Sequence, residues 1–313
     1  MEIIRSLKSL NPLQGSVLTL GSYDGIHRGH REILSSVVHH ARAKSLPSVL
    51  ITFDPHPRHV LEKNKVILPM LMSVEEKLEI IKEIGLQYIH IIKFTDEFSN
   101  TSAGEFLDNT IIPFFNPNYI IVGYDHHFGK NREGGPEFLT KYCSDNLINL
   151  EIIEPVSDDD DNHISSTGIR NLIKNGYVRR ANFELGSVYS FNVIVVKGAG
   201  RGKELSFPTA NVIPLCENQL MPKSGVYFIR GRFIGHHAFG MCNFGVRPTF
   251  GESELVMEIH FFHDSKHNLY GKEIRVEFLE RIRDEVKFPS SVDLINQLKR
   301  DKQKCLELKG KYE

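Results

Sequence analysis

The sequence predicts an α/β domain with a doubly wound parallel sheet, followed by a mainly β domain formed by a Greek-key barrel and a C-terminal helix. Three observations support this fold class. The 313 residues are enough for about two domains of roughly 150 residues each. The first half alternates β-branched runs with helical apolar spacing, whereas the second half consists mainly of short strands separated by turn residues. The pattern changes near residues 185–187, so we expect domains at 1–186 and 187–313.

The elements of the first half follow from the spacing of its apolar residues. Strands are predicted at 17–20, 49–53, 88–92, 119–122 and 150–153, and helices at 33–41, 78–84, 104–111 and 166–173. Ser73 and Glu76 have the spacing of a capping box ahead of the second helix. Because strands alternate with helices, we expect a parallel sheet that binds ligands at the carboxyl ends of its strands.

The second half has the pattern of an antiparallel β domain. Strands are predicted at 188–196, 225–233, 238–244, 255–262 and 273–279. Only the tail, from Ser290 to about Leu308, has helical apolar spacing. This half is therefore expected to be a β-barrel that a C-terminal helix closes.

Composition excludes several functional classes. Lys and Arg number 38 against 39 Asp and Glu, which gives a net charge of −1 and argues against a nucleic-acid partner or an anionic membrane surface. No apolar run approaches the roughly 18 residues of a membrane span. The four cysteines have no CxxC spacing and no secretory signal is evident, so we expect a cytoplasmic protein. The acidic run at 158–161 predicts a solvated loop, with a cation-binding loop as the alternative.

The first predicted strand leads through the segment GSYDGIHRGH, residues 21–30, directly into a helix. Its glycines permit a tight turn, and the helix N-terminus offers unpaired N–H groups and a partial positive charge that favour a phosphate. His27 and His30 can both face such a phosphate. The alternative is that the two histidines only cap the helix.

This segment resembles the signature of the HxGH nucleotidyltransferases. Segments 52–58, 122–129 and 164–170 then resemble, in order, the motifs of the FMN adenylyltransferase module of bacterial FAD synthetases. The resemblance implies in-line attack of the FMN phosphate on the α-phosphorus of ATP, with His27, His30 and Arg170 as catalytic residues. The implied ATP-binding residues are Gly21, Ser22, Asp24, His27, His30, Ser165, Ser166, Thr167 and Arg170, and the implied flavin-binding residues are His56, Asp125, His126 and Phe128.

The residue types agree with these implied roles. Ser165, Ser166 and Thr167 offer hydroxyls and amides at a helix start, and Arg170, one turn later, is suited to bidentate contact with a polyphosphate. Without the resemblance these hydroxyl residues would be interpreted as an ordinary cap. His56 lies between prolines, so ordering of its loop is an equally good interpretation.

The second half resembles the riboflavin kinase module across nearly all of residues 187–306. The resemblance is carried by the FPTAN sequence at 207–211 and by segments 225–227, 243–250, 257–260 and 269–272. It implies that Glu258 is the catalytic base and that Thr209 and Asn211, which project to one side of an extended segment, bind Mg²⁺. The implied phosphate-binding residues are Gly200, Gly202 and Lys203, and the implied flavin-binding residues are Arg281, Arg283 and Asp284. By composition alone, Glu258 would be a solvated strand residue and the last three residues a salt-bridged turn.

Together the two modules resemble the bifunctional bacterial riboflavin kinases/FMN adenylyltransferases. The implied function is FAD biosynthesis, with riboflavin, FMN and ATP as small-molecule substrates and Mg²⁺ required; the oligomeric state is left open. One alternative retains a single activity, because Ser22, His126 and Ser206 stand where the family usually has Asn, Phe and Gly. In that case the other half would be a flavin-binding module. A third interpretation is nucleotidyl transfer to a non-flavin acceptor such as a sugar phosphate or pantetheine phosphate.

Overall fold

The structure is a computed structural model that describes residues 1–62, 67–158, 161–197, 207–233, 235–248, 253–262 and 269–313. The chain divides into two compact units. The first consists of Met1–Leu68 and Val74–Ser166, and the second of Pro69–Ser73 and Thr167–Glu313. The division at residues 186 and 187 rests on the change of residue pattern and stays a prediction.

The first unit contains a six-stranded parallel sheet with the strand order β1-β4-β3-β2-β5-β6. The strands are β1 (Glu2–Ile4), β2 (Ser16–Leu20), β3 (Ser48–Asp54), β4 (Tyr88–Lys93), β5 (Pro117–Gly123) and β6 (Asn149–Ile153). The helices are α1 (Arg28–Lys44), α2 (Pro57–Leu61), α3 (Val74–Ile84), α4 (Ala103–Phe106), α5 (Ile112–Phe115) and α6 (Pro136–Asp145), with a π-helical segment (Leu107–Ile111) between α4 and α5. The predicted parallel α/β fold is confirmed.

Burial explains why the central strands were recognisable from the sequence. All five residues of β2 are buried, as expected for a strand in the middle of a parallel sheet whose two faces are both covered. Helix α1 buries one apolar stripe formed by Ile33, Leu34, Val37, Val38 and Ala41. It ends at Ser45, which adopts the left-handed conformation with φ 54°.

The strand order of the sheet indicates where a ligand is expected to bind. The chain proceeds outward from β2 through β3 to β4, and then returns to pair β5 with the other side of β2. The order therefore reverses between β2 and β5. In open α/β sheets, ligands bind outside the carboxyl ends of the strands at such a reversal. The loops that follow β2 and β5 contain two of the segments that the sequence singled out.

The second unit contains a closed antiparallel barrel with the order β10-β11-β8-β7-β12-β9, in which β9 also pairs with β10. The strands are β7 (Ser190–Val196), β8 (Ala210–Pro214), β9 (Gly225–Phe233), β10 (His236–Pro248), β11 (Ser253–Phe261) and β12 (Glu273–Arg283). Helices α7 (Ser166–Lys174) and α8 (Val178–Leu185) precede the barrel, and α9 (Ser291–Lys309) follows it. The predicted barrel and its C-terminal helix are confirmed.

Helix α9 is fastened to the barrel by a buried ion pair. The Arg283 guanidinium donates from Nη2 and Nε to Oδ2 of Asp301 at 2.8 and 3.0 Å, and Gln297 donates to the same carboxylate at 2.9 Å. Asp301 is only 2% exposed. Apolar residues of α9 pack beside Phe228 and Leu279 of the barrel. In the described part of the chain, no helix has the length and apolar character needed to cross a membrane.

Candidate functional site

The loop after β2 is held in an unusual backbone conformation. Tyr23, Gly25 and Ile26 have φ values of 50°, 87° and 36°. Positive φ is rare for a β-branched residue, so Ile26, which is fully buried, must be held by its surroundings. The Tyr23 hydroxyl is hydrogen bonded to Thr19 Oγ1 at 2.6 Å. A Cβ at Gly21 would lie 2.9 Å from the Tyr23 ring, which explains why this position has no side chain.

The two histidines of the segment meet at the start of α1. His27 is the N-cap residue, and its Nδ1 accepts a hydrogen bond from the His30 backbone N–H at 3.4 Å. A neutral imidazole that accepts at Nδ1 carries its proton on Nε2, so His27 has a donor at that nitrogen. The His27 and His30 rings stack with centroids 3.6 Å apart. The structure thus brings both predicted residues together at a helix N-terminus.

His30 is neutral at neutral pH. Burial, followed by the charges of His27 and Lys77, lowers its pKa well below the ordinary value. Its Nδ1 atom is buried and has no hydrogen-bond partner among the residues that the structure describes. Buried polar atoms are nearly always paired, so the unpaired nitrogen makes His30 a candidate for contact with a ligand group.

Lys77 was not singled out by the sequence analysis. It lies in α3 and is only 3% exposed, and its Nζ donates to the Ser22 carbonyl oxygen at 2.6 Å. Burial lowers its pKa, and the carboxylates of Asp24 and Asp54 oppose that shift. The positive charge beneath the loop therefore belongs to Lys77. The sequence signal was a lysine next to the apolar residues of an amphipathic helix, which by itself also fits a solvated side chain.

The predicted hydroxyl cluster lies where α7 begins. Ser166 is the first residue of the helix, and its hydroxyl donates to the Asp24 carbonyl oxygen at 2.8 Å. The structure thus connects Ser166 with the loop after β2. Thr167 belongs to the second unit, as does Arg170, whose Nε donates to the Pro69 carbonyl oxygen at 2.9 Å. Arg170 is 6% exposed, so its guanidinium is largely enclosed by protein.

The loop after β5 contains three of the four predicted flavin-binding residues. Asp125 is exposed, and its backbone carbonyl is hydrogen bonded to His127 Nδ1 at 2.8 Å. His126 stacks on Phe128 with ring centroids 5.6 Å apart. Burial lowers the pKa of His126 to about 4, with smaller contributions from His127 and Arg132. Its Nε2 is a second buried nitrogen that lacks a hydrogen-bond partner in the described part of the chain.

The other two flavin-binding candidates have visible structural roles. Phe128 is 8% exposed and packs in the apolar core of the first unit, beside Phe106 and Phe138. His56 caps the short helix α2, where its Nδ1 accepts from the Arg58 backbone N–H at 3.2 Å. His56 therefore orders its loop, as the alternative interpretation expected. Contact of Phe128 or His56 with a flavin stays a prediction.

Barrel strands β8, β10 and β11 bring three polar side chains into one row. Glu258 is paired across the strands with Asn211 on one side and with Asn243 on the other. Directly opposite residues in antiparallel strands have their Cβ atoms about 5 Å apart on the same face. The predicted base and one predicted metal ligand are thus neighbours. Asn243, the first residue of one of the segments that resemble the riboflavin kinase module, completes the row.

The predicted flavin-binding arginines of the barrel are engaged in protein contacts. The Arg281 guanidinium donates to the Ser224 carbonyl oxygen at 2.7 Å and to Asp284 Oδ1 at 2.8 Å. This contact lowers the pKa of Asp284. Arg283 binds Asp301 of α9. The salt-bridged turn is therefore present, and a flavin contact here stays a prediction. Several other predicted positions lie outside the described residues: Gly200, Gly202, Lys203, Ser206 and residues 159 and 160 of the acidic run.

The donor set beside Glu258 fits Mg²⁺. Mg²⁺ prefers oxygen ligands, and in kinases it is held by one or two protein groups together with the substrate phosphates. Thr209 and Asn211 supply such oxygens two residues apart, and Asn211 lies opposite the Glu258 carboxylate. Among the described residues no group of three or more His, Cys, Asp or Glu side chains is arranged to hold a metal ion. A site completed by ATP phosphates is thus compatible with the residues present.

Comparisons with known proteins give matches to both halves of the chain. A family model described as FAD synthetase matches residues 10–168, and one described as riboflavin kinase matches residues 185–309. The bifunctional riboflavin kinase/FMN adenylyltransferase of Bacillus subtilis (strain 168) is 33% identical over 294 residues, covering 93% of this chain and 92% of that protein. The protein of the same name from Escherichia coli (strain K12) is 31% identical over 313 residues, covering 99% of this chain and 98% of that protein.

The fold also has a close counterpart among solved structures. A crystal structure described as a macrolide-efflux protein from Streptococcus pneumoniae matches with a TM-score of 0.87 and 32% sequence identity, covering 96% of this chain and 97% of that chain. The first unit presents the two histidines at a helix start, and the barrel presents the Glu258 row, each inside the segment that one family model matches. The chain therefore belongs to the family of bifunctional riboflavin kinase/FMN adenylyltransferases.

Proposed function

We propose that this chain makes FAD from riboflavin in two ATP-dependent steps. Riboflavin is phosphorylated to FMN by the kinase domain at 187–313, and FMN is adenylylated to FAD by the domain at 1–186. The observation that carries the proposal is that each of the two family matches contains its own polar site, His27 and His30 in one and Glu258 with Asn211 in the other. The presence of one polar site in each matched segment supports catalysis by a bifunctional transferase.

In adenylyl transfer, an FMN phosphate oxygen attacks the α-phosphorus of ATP and pyrophosphate leaves, so no protein nucleophile is needed. The role of the chain is alignment and stabilisation of developing charge. The N-terminus of α1 supplies backbone N–H groups, and His27 supplies an Nε2–H donor. His30 acts as a neutral hydrogen-bonding group because burial lowers its pKa well below the ordinary value. The positive charge of Lys77, which contacts the Ser22 carbonyl oxygen, favours an anionic ligand at the loop after β2.

In the kinase step, the primary hydroxyl of riboflavin attacks the γ-phosphorus of ATP and ADP leaves. Glu258 accepts the hydroxyl proton, as a carboxylate within reach of the nucleophile does in other phosphoryl transfers. Thr209 and Asn211 would hold Mg²⁺ beside the base. A bound Mg²⁺ would supply neutralisation of the charge that develops on the ATP phosphates. Asn243, opposite Glu258 on β10, is placed to orient the carboxylate.

The proposal includes a cytoplasmic location. The support is that all four cysteines, Cys143, Cys216, Cys242 and Cys305, are free thiols. Burial raises the pKa of Cys143 to about 11 and that of Cys305 to about 12, so both are inert at neutral pH. Free structural thiols are typical of proteins kept in a reducing compartment.

The test is a flavin-product assay on the full chain. Wild-type protein is incubated with ATP, Mg²⁺ and either riboflavin or FMN, and the flavins are resolved chromatographically. We expect both FMN and FAD from riboflavin. Glu258→Ala should abolish FMN formation and leave adenylylation of supplied FMN, and His30→Ala should do the reverse.

Each outcome of the assay has a defined meaning. If riboflavin gives FMN but no FAD, the protein has only kinase activity. If FAD forms only when FMN is supplied, the protein has only adenylyltransferase activity. Equal loss of both reactions in either variant contradicts the assignment of Glu258 and His30 to separate sites. Absence of any flavin product refutes the proposal as a whole.

A further inference from the structure

A buried histidine lies two residues after Glu258 on β11. His260 is 6% exposed, and its Nδ1 is hydrogen bonded to the Pro208 carbonyl oxygen at 2.9 Å. A carbonyl oxygen only accepts, so Nδ1 must be the protonated nitrogen of the ring. The neutral tautomer of His260 is therefore set by this contact. The ring also lies 5.1 Å, centroid to centroid, from the ring of Phe207.

His260 and Glu258 face the same side of the barrel. Residues two apart on a strand share a face, and this face also holds Asn211 and Asn243 across from Glu258. His260 is paired with Met241 of β10, which packs with Phe207 in an apolar cluster. His260 thus stands between the polar row, where chemistry is proposed, and the apolar cluster that anchors Phe207.

The hydrogen bond from His260 restrains the peptide group between Pro208 and Thr209. The Pro208 carbonyl and the Thr209 nitrogen belong to the same planar unit, so fixing that oxygen fixes the direction in which Thr209 leaves the plane. The next residues, Ala210 and Asn211, pair with Ile259 and Glu258. The contact of His260 with Pro208 therefore restrains the peptide that leads into Thr209 and into the strand that pairs with Glu258.

We propose that His260 is a positioning residue for the phosphoryl-transfer site, acting through the Pro208–Thr209 peptide on the oxygen ligands Thr209 and Asn211. The inference rests on the proposed kinase function. The inference assigns this role to the Nδ1 atom of His260. It predicts that kinase activity is retained when a substitution places another N–H donor within reach of the Pro208 carbonyl oxygen.

Substitution of His260 by Asn and by Gln distinguishes a hydrogen-bonding role of Nδ1 from a role in packing alone. Asn places its amide nitrogen near the position of Nδ1, and Gln places its amide nitrogen near the position of Nε2. We expect His260→Gln and His260→Ala to lower kcat for FMN formation by about ten- to a hundredfold, the loss typical of reacting groups displaced by about 1 Å. The half-saturating Mg²⁺ concentration should rise, whereas KM for riboflavin should change by less than about threefold. His260→Asn should restore kcat to within about threefold of wild type, and adenylylation of FMN should be unchanged in all three variants.

Two measurements test the contact without using activity. Hydrogen exchange of the backbone amides at 209–212 should be faster in the Gln variant than in the Asn variant and the wild type. In the wild type, ¹⁵N chemical shifts of the histidine rings should show His260 protonated at Nδ1. Protonation at Nε2 alone overturns the inference, whether or not any variant folds.

The remaining outcomes are also decisive. Equal activity of the Asn and Gln variants, at any level, shows that Nδ1 does not carry the role and overturns the inference. A wild-type protein that forms no FMN refutes the kinase proposal instead. In that event the exchange rates and the ring tautomer still decide whether His260 holds the Pro208–Thr209 peptide.

Discussion

Lys77→Met should weaken adenylyl transfer while leaving riboflavin phosphorylation intact. Lys77 is buried under the loop after β2 and donates from Nζ to the Ser22 carbonyl oxygen at 2.6 Å. Met has nearly the same length and apolar volume, so the change removes the charge and the donor with little change in packing. Thr52 Oγ1, at 3.4 Å, is a poor substitute donor for the same oxygen.

The size of the effect follows from this hydrogen bond. A buried hydrogen bond to a charged group contributes about 1.5–3 kcal/mol. If about 2 kcal/mol of the energy that orders the loop is lost, the ordered population falls by about thirtyfold relative to displaced conformations, since 1.4 kcal/mol is tenfold. We expect kcat/KM for FAD formation to fall by about the same factor.

The assay compares two lysine variants of the same helix. Lys77→Met and Lys82→Met both remove one positive charge from α3, but Lys82 is exposed. Only the first should lower kcat/KM for adenylylation, and neither should change FMN formation. Because the charge of Lys77 lowers the pKa of His30, we also expect the His30 pKa to rise in Lys77→Met, as measured by NMR titration.

Two results would refute this reasoning. If Lys77→Met keeps adenylylation within about twofold of wild type, the contact of Lys77 with Ser22 does not order the loop after β2. If both lysine variants lose activity equally, the effect is one of long-range charge rather than of the buried donor. A parallel loss of kinase activity would indicate general unfolding, which circular dichroism would detect.

Three further predictions concern stability. Asp301→Ala leaves the Arg283 guanidinium without its buried carboxylate, so the free energy of unfolding of the barrel should fall by about 3 kcal/mol in urea denaturation. Gly129→Ala places a Cβ 2.6 Å from the Ala103 nitrogen at φ +72° and should lower Tm, whereas Gly104→Ala, with open space around it, should not. Burial lowers the pKa of His126 to about 4, so the unfolded chain binds a proton here more readily than the folded protein does. The free energy of unfolding should therefore fall by up to about 3 kcal/mol between pH 6.5 and pH 4. In His126→Phe this decrease with falling pH should be smaller.

Strand content could be predicted wherever apolar residues were dense, and was missed where they were not. The edge strand β1 has only three residues, two of them exposed, so it has no recognisable period. Strand β8 begins two residues after Pro208, ends with Pro214 and includes Asn211, which gives it the composition of a loop. It is a strand because the barrel closes only when β7 and β11 both pair with it. Strand β11 is distant from β8 in the sequence, so no local pattern predicts this pairing.

The residues of the sequence motifs could be predicted, whereas the residues that hold those motifs in place could not. The pair His27 and His30 has a spacing that points to a helix start, and the structure stacks the two rings there. Lys77 and His260 act on backbone carbonyls of segments far away in the chain, at Ser22 and Pro208. Only the folded arrangement reveals such contacts, because a lysine in an amphipathic helix and a histidine in a strand each have ordinary surface explanations.

Residues 69–73 bear on how the two activities can be studied. These five residues belong to the second unit, where Met70 donates its N–H to the Asn218 carbonyl at 2.7 Å and accepts from the Leu220 N–H at 2.8 Å. A polypeptide ending at residue 186 would therefore leave both backbone groups of Met70 without these hydrogen-bond partners. The damage would fall directly before the helix that carries Lys77. An isolated N-terminal fragment would thus underestimate FAD synthesis, and point variants of the intact chain are the sounder way to dissect the enzyme.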